Sequence, residues 1–125
     1  MLVSHSREVA ESAAALARAL VGTGGAAPVV PAGGLPDGAI GTSAELVRRA
    51  VGTADEGSGV VVLCDMGSAV LTVKALLPEK GFEYARIADA PFVEGAVAAV
   101  VTASAGGDLP AVLAATDDAR TYRKL

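Results

Sequence analysis

The sequence has no tryptophan, two tyrosines, two phenylalanines, one cysteine and one histidine. Aromatics make up 3% of a chain that is 52% hydrophobic, so Ala, Val and Leu must fill the core, and such small side chains let helices lie close to a sheet. The lone cysteine, Cys64, excludes a disulfide framework and a cysteine-based metal site. It ends the apolar run Val60 to Cys64, where a buried thiol behaves as a small hydrophobe. No His or Cys spacing supports a metal, and none is expected. Basic residues are also few: ten Lys and Arg against fourteen Asp and Glu give a net charge of −4 and a pI near 4.8. Such a chain lacks the positive surface that a phosphate backbone demands, so nucleic acid is not an expected partner. There is no signal-like leader and no run of about 18 apolar residues, which predicts a cytoplasmic protein without a membrane span.

What remains is a pattern of alternating strands and helices. The 125 residues fit one domain, residues 1–125. Leu2 and Val3 read as a first strand, and Val9, Ala13, Leu16, Ala17 and Leu20 recur at helical spacing up to Gly22. Ala26 to Val30 reads as a second strand closed by Pro31, and the Gly- and Pro-rich residues 32–41 as a long loop. Thr42 or Ser43 can cap a helix that ends near Gly52. Gly59 to Cys64 is a β-branched run of the kind buried on both faces of a parallel sheet. Helical spacing follows over Ala69 to Leu77, a fourth strand over Tyr84 to Ala88, and helices over Pro91 to Ser104 and Leu109 to Ala119. The order βαβαβαβαα predicts an α/β fold: a doubly wound, mostly parallel four-stranded sheet with helices on both faces.

In such sheets the site lies beyond the carboxyl ends of the strands. Ser4-His5-Ser6, the glycine loop and Asp65-Met66-Gly67-Ser68 all fall at that edge and should be neighbours. His5 is the only side chain with an unperturbed pKa near neutrality, hence the only good nitrogen nucleophile at pH 7. Its plainer alternative is a histidine at a strand-to-helix turn. Asp65 stands where its carboxylate could hold one ring nitrogen of His5 and leave the other free to attack, or it could simply cap the following helix. Gly33, Gly34, Gly38 and Gly41 offer unobstructed N–H groups, and Ser6, Thr42, Ser43, Gly67 and Ser68 add further donors. Together they could cradle a phosphate, although a plain surface loop has the same composition. No Lys precedes Thr42 as a Walker loop requires, and the dinucleotide fingerprint is missing, so neither nucleotide nor any other cofactor is expected. Phe92 and Val93, after the fourth strand, are either core residues or a contact for a partner.

The pieces Val3-Ser4-His5-Ser6, Gly33-Gly34, Asp37-Gly38, Ile40-Gly41-Thr42-Ser43, Asp65-Met66-Gly67-Ser68-Ala69 and Asp89-Ala90-Pro91-Phe92-Val93-Glu94-Gly95-Ala96 occur in an order and spacing that resemble one family. It is the DhaM family, the phosphotransferase subunits of phosphoenolpyruvate-dependent dihydroxyacetone kinases, built on a mannose-type EIIA domain. The resemblance implies that His5 accepts a phosphoryl group from phospho-HPr and passes it to ADP bound on DhaL. DhaK then phosphorylates dihydroxyacetone. It also implies a homodimer, Asp65 as the group that orients His5, and a phosphate held by the glycine loop and the first helix. In that family a longer strand precedes the histidine, and some members continue into HPr-like and enzyme I-like parts, which this chain would borrow from other proteins. Two other readings compete: a mannose-class EIIA of a sugar-uptake system, disfavoured by Gly67-Ser68-Ala69, and a regulatory homologue that is never phosphorylated.

Overall fold

The computed structural model describes residues 1–22 and 24–125. The chain runs β1 (Leu2–Ser4), α1 (Arg7–Val21), β2 (Pro31–Gly33), α2 (Ala44–Ala54), β3 (Val60–Cys64), α3 (Gly67–Leu76), β4 (Ala85–Ile87), α4 (Phe92–Ser104) and α5 (Leu109–Asp118). A short 3-10 turn, Ala119–Thr121, follows. The strands form one sheet in the order β2-β1-β3-β4, and every pairing is parallel. This is the doubly wound α/β architecture expected from the alternation of elements.

Strand residues alternate between two cores, as a pleated strand buried on both faces must. Val3, Val62 and Cys64 join Val47, Ala50 and Val51 of α2 and Ala69, Val73 and Leu76 of α3. Leu2 and Leu63 join Ala13, Ala14 and Ala17 of α1, Ala96, Ala99 and Val100 of α4, and Val112 of α5. Alanine dominates the second core, so α1 and α4 lie close together over the sheet. The chain leaves β1 for β2 on one side and β3 for β4 on the other. The switch point of the fold is therefore the crevice between the carboxyl ends of β1 and β3.

Several boundaries differ from the sequence-based expectation, most by a single residue. The second strand is not Ala26 to Val30 but Pro31–Gly33, paired Leu2↔Pro31, Val3↔Ala32 and Ser4↔Gly33. Pro31 is tolerated because β2 is an edge strand and the ladder runs through its neighbours. Leu2 N–H donates to the Val30 carbonyl at 3.0 Å and Gly34 N–H to the Ser4 carbonyl at 3.1 Å. Gly33 thus belongs to a strand rather than a loop. A Cβ there would lie 2.4 Å from the Ser6 carbonyl oxygen and 2.7 Å from Arg7 Cα, so only glycine lets α1 start so close to β2. Next, α2 continues past Gly52 to Ala54, because the buried Val47, Ala50 and Val51 anchor its last turns and outweigh the low helix propensity of one glycine. Finally, α3 starts at Gly67, two residues before the first apolar position of its helical pattern.

Candidate functional site

His5 is the first residue after β1 and Asp65 the first after β3, so the two meet in the crevice at the switch point. The Asp65 N–H donates to the Val3 carbonyl at 3.0 Å, which prolongs the β1–β3 ladder into the site. Asp65 in turn accepts four hydrogen bonds. Oδ1 takes the His5 ring through Nδ1 at 2.9 Å and the Met66 N–H at 2.8 Å. Oδ2 takes the His5 N–H at 2.9 Å and the Ser4 hydroxyl at 2.9 Å. Burial works to raise the Asp65 pKa, but the amide and ring of His5, the Ser4 hydroxyl and the charge of the ring outweigh it. The net direction is down, and the group is a carboxylate at neutral pH.

An ionised carboxylate only accepts, so Nδ1 carries the ring proton of the neutral imidazole and Nε2 keeps its lone pair. Nε2 lies 2.6 Å from the Ser68 hydroxyl, which is placed to donate to it. The side chains of His5 and Asp65 are only 17% and 15% exposed, so the pair is held in place while one edge of the ring stays reachable. The alternative role of Asp65 as helix cap is not what the structure shows. Met66 occupies the cap position of α3 and no side chain caps that helix. Its first turn therefore presents unsatisfied N–H groups beside Nε2.

The remaining candidates divide into two groups. Gly41 is brought to the site, since its N–H donates to the His5 carbonyl at 2.9 Å. Gly67 and Ser68 form the first turn of α3 against the ring. Thr42 bridges to Gly34 and turns its hydroxyl inward, where it is buried without a partner among the described residues. By contrast, the Ser6 hydroxyl caps α1 by accepting from Val9 N–H at 3.3 Å, and the Ser43 hydroxyl caps α2 by accepting from Leu46 N–H at 3.2 Å. Gly34 (φ 68°) and Gly38 (φ 89°) adopt left-handed turns that fold the loop back, with Gly38 N–H donating to the Leu35 carbonyl at 2.9 Å. Arg7 fastens that loop through the carbonyl of Pro36 at 3.3 Å.

Ser4, expected at the site edge, was assigned no role from the sequence. Its side chain is 1% exposed, and its oxygen both donates to Asp65 and accepts the Ser6 N–H at 3.1 Å. A serine ending a strand whose other residues are purely apolar was the available signal. Cys64 is as inert as its setting suggested: burial, with the charge of Asp65 adding, pushes its thiol up to about 12. Among the described residues no group of His, Cys, Asp or Glu could hold a metal, and no helix is long and apolar enough to cross a membrane.

Comparison with known proteins adds an independent line. Residues 1–113 match the EIIA-man family model, described as the PTS system fructose IIA component. The chain is 32% identical over 116 residues to the phosphoryl donor subunit DhaM of PEP-dependent dihydroxyacetone kinase 2 of Listeria innocua, covering 90% of this chain and 91% of that one. It is 37% identical to the DhaM subunit of Pantoea ananatis and 35% identical to that of Escherichia coli, in each case over 90% of its own length. It spans only 25% of those two longer relatives. Among solved structures, the crystal structure of a protein of unknown function, EF1359, superposes with a TM-score of 0.77 at 28% identity, covering 94% of this chain and 90% of that one.

Proposed function

The chain belongs to the EIIA-man family of the phosphotransferase system, and from that premise we propose that it is the phosphoryl donor subunit of a PEP-dependent dihydroxyacetone kinase, with His5 as the group that carries the phosphate. The observation that carries this reading is the pairing of Nδ1 with Asp65, which leaves the lone pair of Nε2 on the open edge of the ring. The relatives from Listeria, Pantoea and Escherichia, each a DhaM phosphoryl donor subunit, support the choice of kinase system.

In the first half-reaction the Nε2 lone pair attacks the phosphorus of phospho-HPr. The new N–P bond forms as the donor's N–P bond breaks, and the donor imidazole leaves with that electron pair. His5 then bears a positive ring whose Nδ1 proton stays on the Asp65 hydrogen bond, so the carboxylate stabilises the charge without moving a proton. The Ser68 hydroxyl lies on the line of attack and swings aside to donate to a phosphoryl oxygen, joined by the N–H groups of Gly67 and Ser68 at the uncapped start of α3. Gly41 and Thr42 close the other side, while Gly33, Gly34, Gly38, Ser6 and Ser43 shape the walls that hold these donors. In the second half-reaction an oxygen of ADP bound on DhaL attacks the same phosphorus and His5 leaves with its lone pair restored. DhaK then passes the phosphate from the ATP so formed to dihydroxyacetone. Positioning and charge stabilisation supply the rate, with no cofactor or metal of the chain's own. The protein acts in the cytoplasm as a homodimer.

The test is discharge of the phosphorylated protein. Addition of DhaL with ADP, then DhaK with dihydroxyacetone, removes the label and yields dihydroxyacetone phosphate. Discharge only by a IIB protein of a sugar-uptake system would assign the domain to mannose-class transport instead.

A further inference from the structure

We infer that Ser4 is a positioning residue for phosphoryl transfer, whose hydroxyl keeps the Asp65 carboxylate a weak base and thereby keeps the phosphate on His5 easy to pass on. The inference rests on the reading that His5 is the phosphoryl carrier. Ser4 is the last residue of β1 and is 1% exposed, so bulk water does not compete for its hydroxyl. That hydroxyl has one proton to give. Its oxygen accepts the Ser6 N–H at 3.1 Å, and its proton goes to Asp65 Oδ2 at 2.9 Å. One side chain thereby ties together the end of β1, the turn into α1 and the carboxylate beyond β3.

The donors that converge on that carboxylate differ in kind. The His5 and Met66 N–H groups belong to the main chain and are present whatever the side chains. The N–H at Nδ1 belongs to the reacting ring. The Ser4 hydroxyl is the remaining donor, and the only one that a choice of side chain outside the ring supplies. Among the described residues no Lys or Arg forms an ion pair with Asp65, so these hydrogen bonds decide how much of its charge is left for the ring. Each donor stabilises the ionised form and makes the carboxylate a weaker base, and the Ser4 hydroxyl acts in that direction here. The consequence falls on the phosphorylated state. The donor's N–P bond breaks as the Nε2–P bond forms, the Nδ1 proton stays in place, and the ring becomes positive. A carboxylate without the Ser4 bond concentrates more charge on Oδ1, stabilises that cation further and makes phospho-His5 a poorer donor. With the hydroxyl in place the pull on the ring is moderated, and the phosphate keeps the potential to move on to its acceptor.

The experiment equilibrates phospho-HPr with the wild type, Ser4→Ala, Ser4→Cys and Ser4→Thr. It reads the ratio of the two phosphohistidines by 31P NMR, and the 1H shift of the Nδ1 proton alongside. Ser4→Ala should move the equilibrium toward phospho-His5 by about 3-fold or more and shift the Nδ1 proton downfield, as a stronger hydrogen bond does. Ser4→Cys puts a weaker donor at the same place and should fall between Ala and wild type, and it carries the test if the Ala variant does not fold. Ser4→Thr keeps the hydroxyl and should restore both readouts. A merely structural role would lower Tm and leave the ratio and the proton shift at their wild-type values. That result would overturn the inference, as would a shift of the equilibrium toward phospho-HPr. Wild-type protein left unlabelled by phospho-HPr would instead overturn the assignment of His5 as the carrier.

Discussion

Replacing Asp65 by Asn keeps the size of the side chain and removes one acceptor. The two carboxylate oxygens share four donors, two on each, and an amide can accept only at its oxygen. The better orientation leaves that oxygen with the His5 N–H and the buried Ser4 hydroxyl and turns the NH2 group toward Nδ1 and the Met66 N–H. Nδ1 must then accept, which moves the ring proton to Nε2, where the Ser68 oxygen is 2.6 Å away to receive it. The attacking nitrogen thus loses its lone pair. A wrong tautomer of this kind costs roughly three to four orders of magnitude in rate. The stranded Met66 donor and the lost charge-assisted bonds remove about 2–3 kcal/mol of stability. Rapid-quench measurement of His5 phosphorylation by phospho-HPr gives the rate, and 15N shifts of the ring report the tautomer. A rate within about 3-fold of wild type, or a ring still protonated at Nδ1, would refute the assignment of Asp65.

Acid should act through the same carboxylate. Folding depresses the Asp65 pKa, so its contribution is complete above the unfolded value of about 3.9 and is lost as pH falls through the lower folded value. Urea unfolding at a series of pH values should therefore show the gap between wild type and Asp65→Asn closing in that acid window; a gap that stays constant contradicts the direction. Gly33→Ala forces a Cβ into the backbone of Ser6 and Arg7 and should cost about 2–3 kcal/mol or more, seen as a fall in Tm. Gly52→Ala, inside α2 with nothing within 4 Å of its Cβ, should raise stability by about 0.5–1 kcal/mol in the same assay.

Much of this was legible in the residues because helical spacing and apolar runs are local signals. The paired helices, the buried β3 and the meeting of His5 with Asp65 follow from where polar residues interrupt those patterns at the strand ends. What was not legible depended on long-range pairing. Pro31 reads as a terminator, yet β2 begins there because its position at the sheet edge spares the missing N–H. Gly33 reads as part of a phosphate loop, whereas the pressure on it comes from α1, which is far less visible in sequence. Ser68 could be placed near the site from its neighbours, but its contact with Nε2 needed the start of α3 to be known. The role of Ser4 was hidden for the opposite reason: a short hydroxyl at a strand end looks like a boundary until the carboxylate it touches is in view.

The atom of His5 that bears the phosphate can be identified directly. Protein incubated with phosphoenolpyruvate, enzyme I and HPr should gain one acid-labile phosphate, and 31P and 15N NMR should place it on Nε2, with Nδ1 still protonated against Asp65. His5→Ala should gain none. A wild-type protein that stays unlabelled, or a label that survives the loss of His5, would exclude His5 as the phosphoryl carrier.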